Sequence, residues 1–193
     1  MKDLLPQILA YVSSPFRLFA IVVMAVLTFS GYFVWQNQGL MLDAYTKSKQ
    51  LPTMNSSRYD DVAKVIFKGT NADLVVIFSV NPLLGTRIVE RAYLPDKRYK
   101  EFDGYDVGLF TTNINNNNDI IKLMANEIPC GEYKKAQSEI GLWYKSVGIN
   151  YTCRVSVPPD TNKFIGQITV GWKEAPENPE AMLLIGSSML MRK

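Results

Sequence analysis

Histidine is absent from all 193 residues, so no Ser/His/Asp or Cys/His relay can be assembled and the usual zinc sets lose their commonest ligand. Cys130 and Cys153 are too few for a Cys-only metal site and too far apart for a CxxC pattern. A disulfide and a pair of buried free thiols are the two states left open for them. The acidic pairs Asp60 with Asp61 and Asp103 with Asp106 have nothing basic or aromatic visibly arranged around them. A glycosidase pair needs two opposed carboxyls at a set separation, and neighbouring acids are common on solvated surfaces. Gly104 with Gly108, and Gly166 with Gly171, open no helix and lack the Lys-Ser/Thr of a phosphate loop. Two N-x-S/T matches, at Asn55 and Asn150, are of a kind that chance produces often. No catalytic, metal-binding or cofactor-binding set emerges, and a protein without enzymatic activity is expected.

Charge excludes a further class. The formal net charge is +3, with Asp60, Asp61, Lys64 and Lys68, or Lys97, Arg98, Lys100 and Glu101, interleaving the two signs. Nucleic-acid binding asks for positive charge gathered into a patch.

One stretch has chemistry of another kind. Leu18 to Trp35 reads LFAIVVMAVLTFSGYFVW, without a charge, and at 1.5 Å per residue it spans roughly 27 Å, close to the thickness of bilayer hydrocarbon. A cleavable signal would have a shorter apolar core ending at small residues. This run ends in Tyr32, Phe33 and Trp35 instead, with Arg17 at its other border, the boundary residues of an uncleaved transmembrane helix. Arg17 also favours a cytoplasmic N-terminus, which leaves the rest of the chain outside the cytoplasm. Thr28, Ser30 and Gly31 form the one face that would let helices approach and self-associate in lipid. The alternative is a monomeric anchor whose hydroxyls bond their own i−4 carbonyls.

The elements that hold these residues follow from periodicity. Leu4, Leu5, Ile8, Leu9 and Val12 share one helical face, giving residues 1–17 as a short amphipathic cytoplasmic segment suited to a headgroup layer. After the 18–35 span, Leu40, Met41, Ala44 and Tyr45 continue as a stalk helix within 36–52, stopped at Leu51-Pro52. Ser57 and Asp60 resemble a capping box ahead of Val62, Val65, Ile66 and Phe67. Asp73 to Val80 reads as a strand, Arg87 to Leu94 as its antiparallel neighbour and Tyr105 to Thr112 as a third strand. The Asn113–Asp119 run reads as a solvated loop, with Asn118 or Asp119 capping the helix around Ile120, Ile121 and Met124. A helix over Ile140–Val147, a hairpin from Asn150–Val157 and Phe164–Trp172, and a closing helix Ala181–Met191 capped at Asn178 complete the chain. The class expected for 53–193 is α+β, an antiparallel sheet with helices packed on one face.

Read in order, these pieces resemble the holins of the T-even bacteriophages. Tyr45-Thr46-Lys47-Ser48-Lys49 is similar to that family's stalk segment, and Ala72-Asp73 leading to Phe78-Ser79 and Pro82 to its first periplasmic strand. Gly104-Tyr105-Asp106-Val107, Asn150-Tyr151 before Cys153, and Gly166 to Trp172 are similar to later elements of it. The resemblance implies a lysis protein of the host inner membrane. It would self-associate into a homo-oligomer, open timed lesions that release endolysin to the cell wall, and receive an antiholin on its periplasmic domain. The family's second periplasmic cysteine sits in the C-terminal helix, where this chain has none, so Cys130 would have to partner Cys153. The competing readings are a membrane-anchored sensory or ligand-binding module and a structural subunit. About seventeen residues before the anchor are too few for a signalling output domain, which is the feature that weighs against a sensor.

Overall fold

The computed structural model describes residues 15–49, 53–136, 138–160 and 163–191, with side chains from 15 to 39 in the first helix. The expected amphipathic face of Leu4 to Val12 and the Leu51-Pro52 stop lie outside the described residues. The chain forms two compact units, Met1–Gln50 and Leu51–Lys193.

The described residues of the first unit are one continuous helix, α1 (Pro15–Lys49), in which span and stalk are not separated by a break. Its stretch Pro15–Gly39 is long and apolar enough to cross a membrane, and none of it is buried.

The second unit opens with a 3-10 turn (Ser56–Arg58) and α2 (Tyr59–Thr70). Then come β1 (Leu74–Asn81), β2 (Thr86–Leu94), β3 (Lys97–Tyr99), α3 (Ile114–Met124), β4 (Cys130–Glu132), α4 (Glu139–Ser146), β5 (Tyr151–Val157), β6 (Gly166–Trp172) and α5 (Glu180–Met189). The six strands form one antiparallel sheet in the order β3-β2-β1-β6-β5-β4. A bulge interrupts β1–β2 pairing after Ile77, where Arg91 and Val89 face consecutive β1 residues and Glu90 is left over.

Helices cover both faces of this sheet, and the one-faced arrangement expected from the sequence is corrected. On one face Val75 and Ile77 of β1, Val155 of β5 and Ile168 and Val170 of β6 pack against Val62 and Ile66 of α2 and Leu183 of α5. On the other, Leu74, Val76 and Phe78 meet Ile140, Trp143 and Tyr144 of α4. β6 explains the discrepancy. Gly166, Gln167, Ile168, Thr169, Val170 alternate as a half-solvated strand would, yet all seven of its residues are buried.

Other local expectations are corrected too. Tyr105–Thr112 is not a strand: it follows β2 through Val107 N to Arg87 O (2.9 Å) and a single bridge from Ile88 to Asp106. Gly104 and Gly108 at φ +83° and +70° break the extended backbone. The short edge strand β3 takes the third place instead. Ser57 caps nothing; its N–H donates to Asn55 Oδ1 (3.1 Å), and α2 begins after Arg58 without a side-chain cap. α3 starts at Ile114, capped by Asn113 rather than by Asn118 or Asp119, so most of the asparagine run is helical. α5 spans Glu180–Met189 with Pro179 at its cap, and Asn178 sits at φ +45°.

Candidate functional site

The inner face of the sheet opposite α2 and α5 is built in two halves. Toward β2 and β1 it is apolar (Leu74, Val76, Phe78, Val89). Toward β5 and β6 the same register presents Arg154 opposite Thr169 and Ser156 opposite Gln167. Arg87, on the Val89 side of β2, reaches this polar half from its position opposite Val80. Ser156, Gln167, Thr169 and Arg87 are all buried. A polar sheet face under a lid of helices is a site floor, because buried polar groups persist only where they are paired with one another or with a guest.

Above this floor lies a chamber of about 100 Å³, bounded by Arg87, Arg154, Asn116, Tyr133 and Tyr144 among others. Each wall has a local cause. Asn113 accepts from the N–H groups of Asn115 and Asn116 (3.0 and 3.3 Å), which starts α3 and points Asn116 inward, 8% exposed. Ser138 caps α4 through Gly141 N (3.2 Å), setting Ile140 and Tyr144 over the chamber. Gly141 leaves room for Tyr133, since a Cβ there would lie 2.4 Å from the phenol oxygen.

Two guanidiniums meet at one neutral amide oxygen. Arg87 Nη2 and Arg154 Nη1 both donate to Asn116 Oδ1, at 3.0 and 3.3 Å. Arg154 is also paired with Asp119 at 3.2 Å. Arg87, 7% exposed, makes no ion pair among the described residues. Its Nη1 donates to Gln167 Oε1 at 3.3 Å, its charge lies 5.5 Å from the Phe78 ring centroid, and its Nε is buried without an acceptor. Burial, and next the neighbouring Arg154 charge, push its pKa down to about 10. Burial also raises Tyr133 and Tyr144 above the usual phenol value, so both stay neutral hydrogen-bonding groups.

An outer cleft of about 570 Å³ shares Asn113, Asn116, Tyr133 and Arg154 with the chamber and reaches the surface beside Lys122, Lys134 and Cys130. Cys130 and Cys153 face each other across β4 and β5 and are joined as a disulfide.

Apart from Cys130 at the outer cleft and Asp106 beside Arg87, the residues singled out by sequence lie elsewhere. Asp60 accepts from the Tyr93 hydroxyl (2.6 Å), Asp61 pairs with Arg58, and Asp103 pairs with Arg91 and Arg98, so these acids hold structure. Asp106 Oδ1 accepts from the N–H of Arg87 and of Gly108 (3.1 and 2.8 Å). In α1, Thr28 donates its hydroxyl to Met24 O at 2.8 Å, the intrahelical alternative, and Gly31 has open space around it. Tyr32 accepts from Gln36 (3.1 Å), and Tyr32 and Trp35 are exposed. No group of three or more His, Cys, Asp or Glu side chains suited to a metal occurs among the described residues. Arg87, Arg154, Asn116 and Gln167 were not legible as a site. The available signal was a charged residue inside each of two otherwise strand-like runs.

No family model and no curated protein matches the chain. Solved structures do. The GAF domain of a two-component sensor histidine kinase from Bacillus halodurans matches with a TM-score of 0.51 at 12% identity, over 69% of this chain and 90% of that one. A GAF domain/HD domain protein from Geobacter sulfurreducens matches with a TM-score of 0.52 at 11% identity, over 68% and 86%. The phycoerythrobilin-bound GAF domain of a cyanobacterial phytochrome matches with a TM-score of 0.50 at 13% identity, over 81% and 94%. These likenesses correct the resemblance to the T-even holins, and with it the lysis, lesion-forming and antiholin-binding role drawn from that resemblance. The short segments that carried it, such as Gly104 to Val107 and Gly166 to Trp172, are a positive-φ turn and a buried strand that many antiparallel sheets would use. The globular unit of this chain has a GAF-like fold.

Proposed function

We propose that the chain is a membrane-anchored ligand-binding module of the sensory type, in which α1 crosses the bilayer once and the GAF-like unit takes a small molecule into the chamber at Arg87. The reading rests on one observation: a buried arginine, without an ion pair among the described residues, on the floor of a cavity that opens into the outer cleft. A concave site where a few polar groups converge is a candidate binding site. No catalytic residue is needed. The disulfide suits an oxidising compartment, and Arg17 beside the span suits a cytoplasmic N-terminus; together they favour a domain outside the cytoplasm.

Purified full-length chain in detergent, screened against a library of small metabolites by thermal shift, tests this. A ligand at about 100 times its Kd contributes about 2.7 kcal/mol, which moves Tm by several degrees in a domain of this size. At least one chemical class should do so in wild type and fail when Tyr144→Trp fills the chamber. A library without any stabilising compound would contradict the reading.

A further inference from the structure

From the charges of the chamber we infer that its ligand is a small monocarboxylate, gripped by the guanidiniums of Arg87 and Arg154. This rests on the ligand-binding reading above and gives it a substrate class. Five N–H donors belong to a guanidinium, and only two of those on Arg87 are used by described side chains, Gln167 and Asn116. Its Nε is buried and unbonded. The two arginines share a neutral amide where a carboxylate would normally stand: Asp119 pairs with Arg154, and Asp106, which accepts from the Arg87 N–H, acts on the guanidinium only through space, as Asp119 does. Among the described residues no carboxylate lies within ion-pair distance of the Arg87 guanidinium, so a negative charge is missing at its fork. A planar carboxylate supplies it in the geometry that a guanidinium fork matches best.

Size and lining define the rest of the molecule. About 100 Å³ is smaller than the roughly 150 Å³ cavity that holds benzene, so the part of the ligand beside Arg87 has few carbons, and a longer molecule would extend into the outer cleft. Phe78, Val107 and Ile140 offer it an apolar wall. Around the outer cleft Lys122, Lys134, Lys135 and Arg154 outnumber Asp119 and Glu132, and with Lys134 paired to Glu132 and Arg154 to Asp119, Lys122 and Lys135 leave the approach positive.

The test is calorimetric titration of full-length chain in non-ionic detergent at low salt with acetate, propionate and lactate, each against its neutral amide. The acids should bind roughly tenfold to a hundredfold more tightly than the amides. Arg87→Met should weaken the acids by a similar factor, and Asn116→Asp, which installs a carboxylate between the arginines, should weaken them too. Arg154→Gln, at the rim, gives a second variant should Arg87→Met fold poorly. If an amide binds as well as its acid, or if both arginine variants retain the wild-type affinity, the charge inference is overturned while ligand binding stands. If neither acids nor amides nor any compound of the wider library binds, both fall.

Discussion

At the residue scale, Arg87 separates a functional from a structural role. A buried charge without an anionic partner is costly, and replacing such a group by an apolar side chain of similar volume is often neutral or stabilising. Arg87→Met gives up one ordinary hydrogen bond to Asn116 (3.0 Å), a longer one to Gln167 (3.3 Å) and a contact with Phe78, but it removes that desolvation. Its Tm should stay within a few degrees of wild type or rise, while carboxylate binding weakens roughly tenfold to a hundredfold; a fall of ten degrees or more in a melting experiment would make the arginine a structural residue. The tyrosines set the alkaline limit. Burial, and then Glu90, hold the Tyr59 phenol up at about 12, and burial followed by the hydrogen bond to Asp60 raises Tyr93. Because the unfolded chain loses these protons near pH 10, stability is intact below that pH and declines as pH rises from about 10 to 12. Arg87 acts in the opposite sense, gaining stability above about 10, but the raised phenols outnumber it. Denaturant midpoints measured from pH 8 to 11.5 should therefore be flat and then fall.

At the scale of elements, β4 depends on its neighbour. Three residue pairs and the Cys130–Cys153 bond attach it to β5, and it forms the wall of the outer cleft. Closing a loop of 23 residues contributes about 3 kcal/mol in the chain-entropy account. Reduction, or the Cys130→Ser/Cys153→Ser pair, should lower stability by about that amount in denaturant melts and loosen β4 before the central strands in hydrogen exchange. Gly171 is a different kind of constraint: a Cβ there would lie 2.8 Å from Ile149 and 3.2 Å from Leu74, both buried. Gly171→Ala should cost about 1–3 kcal/mol by overpacking, read as a shift in denaturant midpoint. Much of this scaffold was legible. The β5–β6 hairpin, α4 and the β1–β2 pair announce themselves through β-branched runs, helical spacing and turn residues between them. Their assembly was not. Alternation along β6 cannot tell a strand facing water from one facing a polar chamber, and Arg87 and Asn116 approach each other only through packing, 29 residues apart in sequence. The asparagine run has the composition of a loop, yet Asn113 makes it the start of a helix.

At the scale of the whole molecule, the two units differ in what they bury. Pro15–Gly39 is apolar and wholly unburied, while Leu51–Lys193 encloses its own cores on both faces of a sheet. A chain starting at Thr53 should remain in solution without detergent and keep its melting transition, and the full chain should partition into membranes. Labelling of a cysteine introduced at position 3 or at Asp96 with a membrane-impermeant reagent, in a background lacking the native pair, should mark the second site and spare the first. The GAF-like fold turns this arrangement into a proposal about sensing, and the chamber at Arg87 carries it. The most direct measurement is a crystal structure of the domain grown with the best-binding carboxylate. The carboxylate is expected in the chamber with an oxygen within about 3.2 Å of an Arg87 guanidinium nitrogen; a chamber holding only ordered water, with the ligand bound elsewhere, would overturn the assignment.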